Sequence, residues 1–358
     1  MTSATLPQLI RTTSTRTAVG GIVRAKAPLR VSFAGGGTDL PHWYEEHGGA
    51  VFSGTIDRYA YVTLYPRNDQ IVSIRSLDLG HAITYDVNKM PMYDGVLDLA
   101  KAVIYRLGTR RGMDLDIRSD APAGSGLGGS STLTAAIIGV VAAYTGRTLD
   151  CYEKAELNYE IERIDLGITG GKQDQYATTF GGFNLIEFHP DSVVVHGMEL
   201  SRDIINDLEA HLLLCYTGQV RANLGLVSKQ VRMYREGRPA THAGLGRLYE
   251  LAYETAEAVI EGRLNTFGQL LHEAYVNKKR MNPDIAVGTI ADELYDEARR
   301  HGAIGGKLLG AGGGGYLLVY CETGRQHIVR QALRARGGTI MDFAFDDRGL
   351  QCWRSHDR

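Results

Sequence analysis

The segment APAGSGLGGSSTLTAA, residues 121–136, constrains the fold of this chain more than any other stretch of its sequence. Its glycines let backbone N–H groups approach one point without obstruction by side chains. An apolar run follows at once and predicts a buried helix over residues 130–145. A loop that opens directly into a helix turns free N–H groups and the positive end of the helix dipole toward that point. The segment is therefore typical of an anion site at a helix N-terminus.

The same loop also fits a dinucleotide-binding turn, because Gly124, Gly126 and Gly129 have the spacing GxGxxG and Asp150 could serve as the ribose acid. Such a turn follows a fully buried parallel strand, which reads as a continuous apolar run. The preceding segment MDLDIRSD (113–120) instead alternates apolar and charged residues, which predicts a half-exposed strand. A dinucleotide oxidoreductase is therefore disfavoured.

A phosphate cradle agrees better with the end of the loop, where Ser130, Ser131 and Thr132 supply hydroxyls. Such oxygens could ligate Mg²⁺ that bridges nucleotide phosphates. The Walker pattern is absent, since GGKLL (305–309) lacks a hydroxyl after its lysine, and no HRD or DFG trio of a protein kinase occurs. We predict that the phosphates contact the loop residues Gly124, Ser125, Gly126, Leu127, Gly128, Gly129, Ser130 and Ser131.

Two further glycine clusters, FAGGGTD (33–39) and KLLGAGGGGYLL (307–318), favour one shared pocket over three independent turns. Period-two alternation predicts a strand in residues 24–37 with one buried face, and it places Arg30 and Ser32 together on the other face. Elsewhere strands and amphipathic helices are mixed without steady βαβ alternation, and TIMDFAFDD (339–347) is interpreted as a strand. The pattern predicts two α+β domains that meet near residue 205.

The composition excludes several classes of function. A chain of 358 residues with a net charge of −2 has no general electrostatic attraction to nucleic acid or to an anionic membrane. The four cysteines form no CxxC pair, which indicates reduced thiols in a cytoplasmic protein without a zinc site. Residues 1–22 are predicted to form a disordered leader, and the basic runs Arg110-Arg111 and Lys278-Lys279-Arg280 are interpreted as solvated helix ends.

The three glycine clusters together resemble the motifs of the galactose, homoserine, mevalonate and phosphomevalonate (GHMP) kinase superfamily. The matching segments KAPLRVSFAGGGTD, PAGSGLGGSST and KLLGAGGGGYLL have the order and spacing of that superfamily, and the likeness covers residues 23–350. It implies an α+β fold with two domains. One is an N-terminal α/β domain with a left-handed crossover (23–205), and the other is a ferredoxin-like C-terminal domain (206–358). Within the superfamily, FAGGGTDLP and IERIDLGITGGKQDQYATTFGG resemble the heptose-phosphate kinases.

The resemblance implies an enzyme that uses ATP and Mg²⁺ to phosphorylate the anomeric hydroxyl of a heptose 7-phosphate. By position, Asp174 matches the catalytic aspartate that accepts the hydroxyl proton, and Arg30 matches the basic residue beside it. Glu162 matches the magnesium-binding acid, although Glu160 on the same charged helix is an alternative. Ser130 matches the serine that also meets the metal.

Sugar contacts are implied for Gly37, Thr38 and Asp39 of the first motif and for Gly313 of the third, while Lys172 and Arg221 are candidates for the distal phosphate of the sugar. One departure concerns the segment after Arg221, where alanine and asparagine stand in place of serines. A kinase of a hexose or N-acetylhexosamine therefore remains an alternative. A catalytically inactive nucleotide or sugar sensor is a second alternative, which the joint presence of Asp174, Arg30, Glu162 and Ser130 disfavours. The sequence does not predict the oligomeric state.

Overall fold

A computed structural model of the protein describes residues 21–122, 124–220 and 225–355. Most of the predicted leader and the candidate residue Arg221 lie outside the described residues.

The strands of the first sheet are β1 (Val23–Ala34), β2 (Gly49–Pro66), β3 (Ile71–Ser76), β4 (His81–Asp86), β5 (Met113–Ser119), β6 (Phe183–Phe188), β7 (Val193–Met198) and β12 (Gln351–Arg354). Their order in the sheet is β12-β1-β2-β5-β3-β4, and the hairpin of β6 and β7 pairs with another part of β2. All pairs are antiparallel except β3 with β5, which are joined through β4 and a helix. The helices of this region are α1 (Pro41–His47), α2 (Asp98–Leu107), α3 (Gly129–Thr145), α4 (Cys151–Tyr159) and α5 (Gln173–Phe180).

The strands of the second sheet are β8 (Leu212–Val220), β9 (Ala303–Leu308), β10 (Gly314–Cys321) and β11 (Thr339–Met341). Their order is β11-β8-β10-β9, and all pairs are antiparallel. Together with the helices of this region, the strands give the βαββαβ arrangement of a ferredoxin-like domain. The helices are α6 (Arg202–His211), α7 (Leu226–Arg235), α8 (Pro239–Ile260), α9 (Leu264–Met281), α10 (Ala291–Arg300) and α11 (Gln326–Ala335). The predicted ferredoxin-like arrangement is confirmed.

Strand β1 differs from the prediction of a single buried face, because nearly every residue from Ala27 onward is buried. The strand contacts α3 and α5 as well as α8 and α9, so helices from both halves of the chain cover it. Leu29, Val31 and Phe33 join the large core formed with α8 and α9. Arg30 and Ser32 are therefore on a polar face that is buried inside the protein and not exposed to solvent.

The segment after α11 is also shorter as a strand than predicted. Only residues 339–341 pair with β8, and Phe345 makes an isolated bridge to Ile56 of the first sheet. The backbone of 344–346 is held by residues of β2, so the chain leaves the second sheet and returns to β1 as strand β12. The predicted boundary at 205 falls within α6, and that division of the chain stays a prediction.

Among the described residues, no helix combines the length and apolar character needed to cross a membrane.

Candidate active site

A cavity of about 1200 Å³, here called the central cavity, lies where β1, the N-terminus of α3, α5, α9 and the glycine segment after β9 meet. One end is lined mainly by apolar residues of the first sheet and its helices, among them Tyr93, Leu97, Ile117, Leu133 and Leu166. The other end contains Gly36, Gly37, Asp39, Gln230, Asn282 and Ile285. All three glycine clusters contribute residues to one cavity, as the sequence predicts.

Arg30 and Asp174 form an ion pair at the centre of this cavity. The Nε and Nη2 atoms of Arg30 lie 2.8 and 2.6 Å from Asp174 Oδ1, and the guanidinium is almost fully buried. Arg30 Nη1 also donates to the carbonyl of Gly126 at 2.6 Å, which ties the pair to the glycine loop. Asp174 Oδ2 accepts no hydrogen bond from any described residue. The carboxylate therefore keeps one oxygen available to accept a proton.

The glycine loop and the third glycine cluster make a close backbone contact. Gly126 and Gly310 both have positive φ, and a Cβ atom on Gly310 would lie 2.4 Å from Gly126 Cα. A Cβ on Gly128 would lie 3.4 Å from side-chain atoms of both Arg30 and Asp174. A larger residue at Gly310 would therefore force the two backbone segments apart, whereas at Gly128 the positive φ is what disfavours a side chain.

The N-terminus of α3 is open to a ligand, because Gly128 in a left-handed conformation precedes the helix and no side chain caps it. The hydroxyl of Ser125 is buried in the cavity wall and has no partner among the described residues. Free N–H groups and an unpaired hydroxyl together favour binding of phosphate oxygens. Gly124, Gly128, Gly129 and Ser130 also line the cavity, whereas Leu127 and Ser131 do not.

Glu162 is fully buried behind this helix terminus. The helix predicted over 151–165 ends as an α-helix at Tyr159 and continues as a π-helical turn (Glu160–Asp165), which turns Glu162 inward. Its Oε2 accepts a hydrogen bond from Ser131 Oγ at 2.5 Å and another from Gln175 Nε2, while Oε1 has no partner among the described residues. Glu160 is instead partly exposed and paired with Arg106. Of the two candidates, Glu162 is the one buried next to the α3 terminus, although it is not among the residues that line the cavity.

Asp39 lines the end of the cavity that contains Gly36 and Gly37, and its carboxylate accepts from the N–H groups of Gly37 and Gln173 at 2.9 and 3.2 Å. Burial raises the pKa of Asp39 above its ordinary value, and the nearby charge of Asp174 adds to that rise. Thr38 does not reach the cavity. Its hydroxyl donates to the Gly35 carbonyl at 2.8 Å and accepts from Ala50 N–H at 3.1 Å, so it links the segment after β1 to β2.

Lys172, a predicted contact of the sugar's distal phosphate, also makes its contacts outside the cavity. Its ammonium binds Glu156 at 3.1 Å and lies over the ring of Tyr159, and the residue is not among those that line the cavity. Gly313 likewise lies outside the cavity wall, where its neighbours Gly310 and Ala311 are found instead.

Lys278 and Lys307 line the cavity, although no functional role was predicted for either residue from the sequence. The interpretation of Lys278 as part of a solvated helix end is wrong, because only 8% of the residue is exposed. Helical spacing was an available signal, since Lys278 follows the buried Leu271 and Ala274 by seven and four residues. Burial lowers the pKa of Lys278 to about 7, and Arg30 contributes in the same direction.

Comparison with known proteins gives consistent matches over most of the chain. Two family models match, GHMP kinases N terminal domain over residues 95–182 and GHMP kinases C terminal over residues 255–339. The D-glycero-alpha-D-manno-heptose 7-phosphate kinase of Campylobacter jejuni is 34% identical over 341 residues, which cover 93% of this chain and 99% of that relative.

Two solved structures share the architecture. A D-glycero-D-manno-heptose 1-phosphate kinase from Bacteroides thetaiotaomicron matches with a TM-score of 0.78 and 32% identity, covering 94% of this chain and 100% of the other. A Lactococcus lactis galactokinase complexed with galactose matches with a TM-score of 0.75 and covers 92% of this chain and 95% of the other. At 19% identity, the galactokinase shows likeness of fold alone.

Proposed function

The chain belongs to the GHMP kinase family, and on this premise we propose that it transfers the γ-phosphoryl group of ATP to the anomeric hydroxyl of a heptose 7-phosphate. The observation that carries the proposal is the Arg30–Asp174 pair, which is bonded to the glycine loop at the centre of the cavity. The heptose is favoured because two relatives, at 34% and 32% identity, are named as heptose-phosphate kinases. The name of the first relative gives a heptose with a phosphate at position 7, and that of the second gives one with a phosphate at position 1. The product proposed here is a heptose with phosphates at both positions.

The residues divide the reaction between them. The sugar hydroxyl oxygen attacks the γ-phosphorus, the bond from that phosphorus to the bridging oxygen breaks, and ADP leaves with the electron pair. Asp174 Oδ2 accepts the proton of the hydroxyl, while Arg30 holds Oδ1 and supplies positive charge beside the loop. Asp39 accepts hydrogen bonds from sugar hydroxyls at the far end of the cavity. Catalysis rests mainly on positioning and on charge neutralisation.

The residues behind the loop fit a magnesium ion. The buried Oε1 of Glu162 has no partner among the described residues, and Arg163 lies 3.7 Å from the other oxygen, Oε2. A buried carboxylate oxygen without a partner is unfavourable, and a cation bound at Oε1 would relieve this cost. Mg²⁺ takes oxygen ligands and commonly uses one or two carboxylates together with substrate phosphates. Glu162 and the Ser130 hydroxyl would hold the ion, which would supply charge neutralisation for the phosphates when bound.

Replacing Glu162 with glutamine should raise the Mg²⁺ concentration needed for half-maximal activity by about tenfold, because a neutral amide is a weaker ligand than a carboxylate. The measurement is a magnesium titration of initial rates at saturating ATP. Glu160→Gln is the matched control, since Glu160 lies in the same turn but is partly exposed. An unchanged titration in Glu162→Gln would remove Glu162 from the metal site.

The choice of sugar is tested by ADP release from ATP and Mg²⁺ across free sugars and sugar phosphates. We expect turnover with heptose 7-phosphate at least about tenfold faster than with an unphosphorylated hexose or N-acetylhexosamine at equal concentration. A preference for an unphosphorylated sugar would keep the kinase and reject the heptose phosphate. Binding of ATP without turnover of any sugar would support the sensor alternative.

A further inference from the structure

Two buried lysines face the central cavity, and neither has a carboxylate partner among the described residues. The Nζ of Lys278 donates to the carbonyls of Leu308 and Gly310 at 2.9 and 2.5 Å. The Nζ of Lys307 donates to the Phe33 carbonyl at 3.0 Å. Because an ammonium has three N–H bonds, one donor of Lys278 and two of Lys307 remain without a partner in the described part of the chain.

A short series of contacts connects Lys278 to the reacting groups, and Lys307 is bonded to Phe33 on the strand that carries Arg30. Lys278 binds the carbonyl of Gly310, and the backbone of Gly310 packs on that of Gly126. Gly126 in turn accepts the hydrogen bond of Arg30, which is paired with Asp174. An anion that contacts Lys278 would therefore also lie close to the glycine loop and to Arg30.

The charges in this region do not balance. Three basic side chains (Arg30, Lys278 and Lys307) and two carboxylates (Asp39 and Asp174) line the part of the cavity next to the third glycine cluster, so full ionisation of these five groups leaves one excess positive charge. The nearby Glu162 does not offset that charge, because Arg163 lies 3.7 Å from its carboxylate. Burial lowers the pKa of Lys307 well below its ordinary value, and the charges of Lys278 and Arg30 add to that effect. A buried ammonium without a counter-ion is unfavourable. A bound anion would relieve this cost, and the lysines gain nothing comparable from packing alone.

We propose that Lys278 and Lys307 bind the phosphoryl group while it passes from ATP to the sugar. The inference rests on the proposed phosphoryl transfer and adds two residues to it. The contact of Gly310 with the glycine loop favours the group under transfer over the sugar's own distal phosphate, because that loop is the candidate site for the phosphates of ATP. Fixed positive charge next to a transferring phosphoryl group stabilises the transition state.

The test uses aluminium fluoride, which together with ADP and Mg²⁺ imitates a phosphoryl group in transfer. Calorimetric titration gives the affinity for ADP with and without fluoride, in the absence of any sugar. We expect aluminium fluoride to increase the affinity of the wild-type protein for ADP. In Lys278→Met that increase should be about tenfold smaller, while the affinity for ADP alone should stay within about twofold of wild type. Lys279→Met is the matched control on the same helix, since Lys279 is partly exposed and paired with Asp292.

Lys307→Met provides a second variant with the same expectation, and melting curves establish that each variant folds. The proposal would be overturned if aluminium fluoride increased ADP affinity equally in the wild type and in both lysine variants. It would also be overturned if aluminium fluoride did not increase ADP affinity in the wild type. A rise in KM for the sugar phosphate with an unchanged fluoride gain would also overturn it, because the lysines would then serve the distal phosphate. Since the titration contains no sugar, a wrong assignment of the acceptor sugar would leave its result unaffected.

Discussion

Replacing Asp174 with asparagine should lower kcat by about 10³-fold, because the amide cannot accept the proton that leaves the sugar hydroxyl. Affinity for ADP should stay within about twofold, since the nucleotide contacts assigned here belong to the glycine loop and the N-terminus of α3. Asparagine retains the shape of the side chain and can still accept a hydrogen bond from Arg30 at its amide oxygen. The effect is therefore expected on the chemical step.

Single-turnover rates and calorimetric ADP titration separate these two quantities. Asp174→Ala should show a similar loss of kcat, because both variants lack the proton acceptor. Loss of ADP binding with an unchanged melting temperature would contradict the assignment and place Asp174 in nucleotide binding.

Replacing Arg30 with methionine should lower kcat by about 10²-fold to 10³-fold. The guanidinium makes two contacts with Asp174 and one with the Gly126 carbonyl, so its removal frees the carboxylate and the loop at the same time. Arg30→Lys should recover only part of the rate, since an ammonium keeps the charge but cannot reproduce the fork geometry.

Lys26→Met is the control for strand β1, because Lys26 lies on the same strand over the ring of Tyr59. Its kcat should remain within about twofold of wild type. If Arg30→Met kept wild-type kcat, Arg30 would be a structural residue and the charge argument for the centre of the cavity would fail.

The parts of the site that sequence could predict are those set by local chemistry. The loop of residues 124–129 and the apolar run of α3 are adjacent in the chain, and helix α3 starts within one residue of its predicted position. Asp174 and Arg30 could be proposed from motif positions alone. Their direct contact depends on the packing of α5 against β1 and could not be read from periodicity.

The remaining differences come from tertiary contacts between distant segments. Lys172 contacts Glu156 and Tyr159 because α4 packs beside it, and its part in binding a distal phosphate stays a prediction. The hydroxyl of Thr38 is held by β2, which lies outside its own motif. Lys278 was interpreted as one member of a basic run, although its helical spacing from Leu271 and Ala274 was compatible with burial. Its contact with the third glycine cluster depends on the position of α9 and could not be predicted from that spacing.

The proposed reaction places the transferred phosphoryl group on the anomeric oxygen of the sugar. Phosphorus NMR of the sugar product formed from ATP and heptose 7-phosphate tests that position directly, because a phosphate on the anomeric oxygen couples to the anomeric proton. We expect the sugar product to show one new resonance with that coupling, together with the original 7-phosphate resonance at equal intensity. A new phosphate on another hydroxyl, or loss of the 7-phosphate resonance, would show that the proposed reaction is wrong.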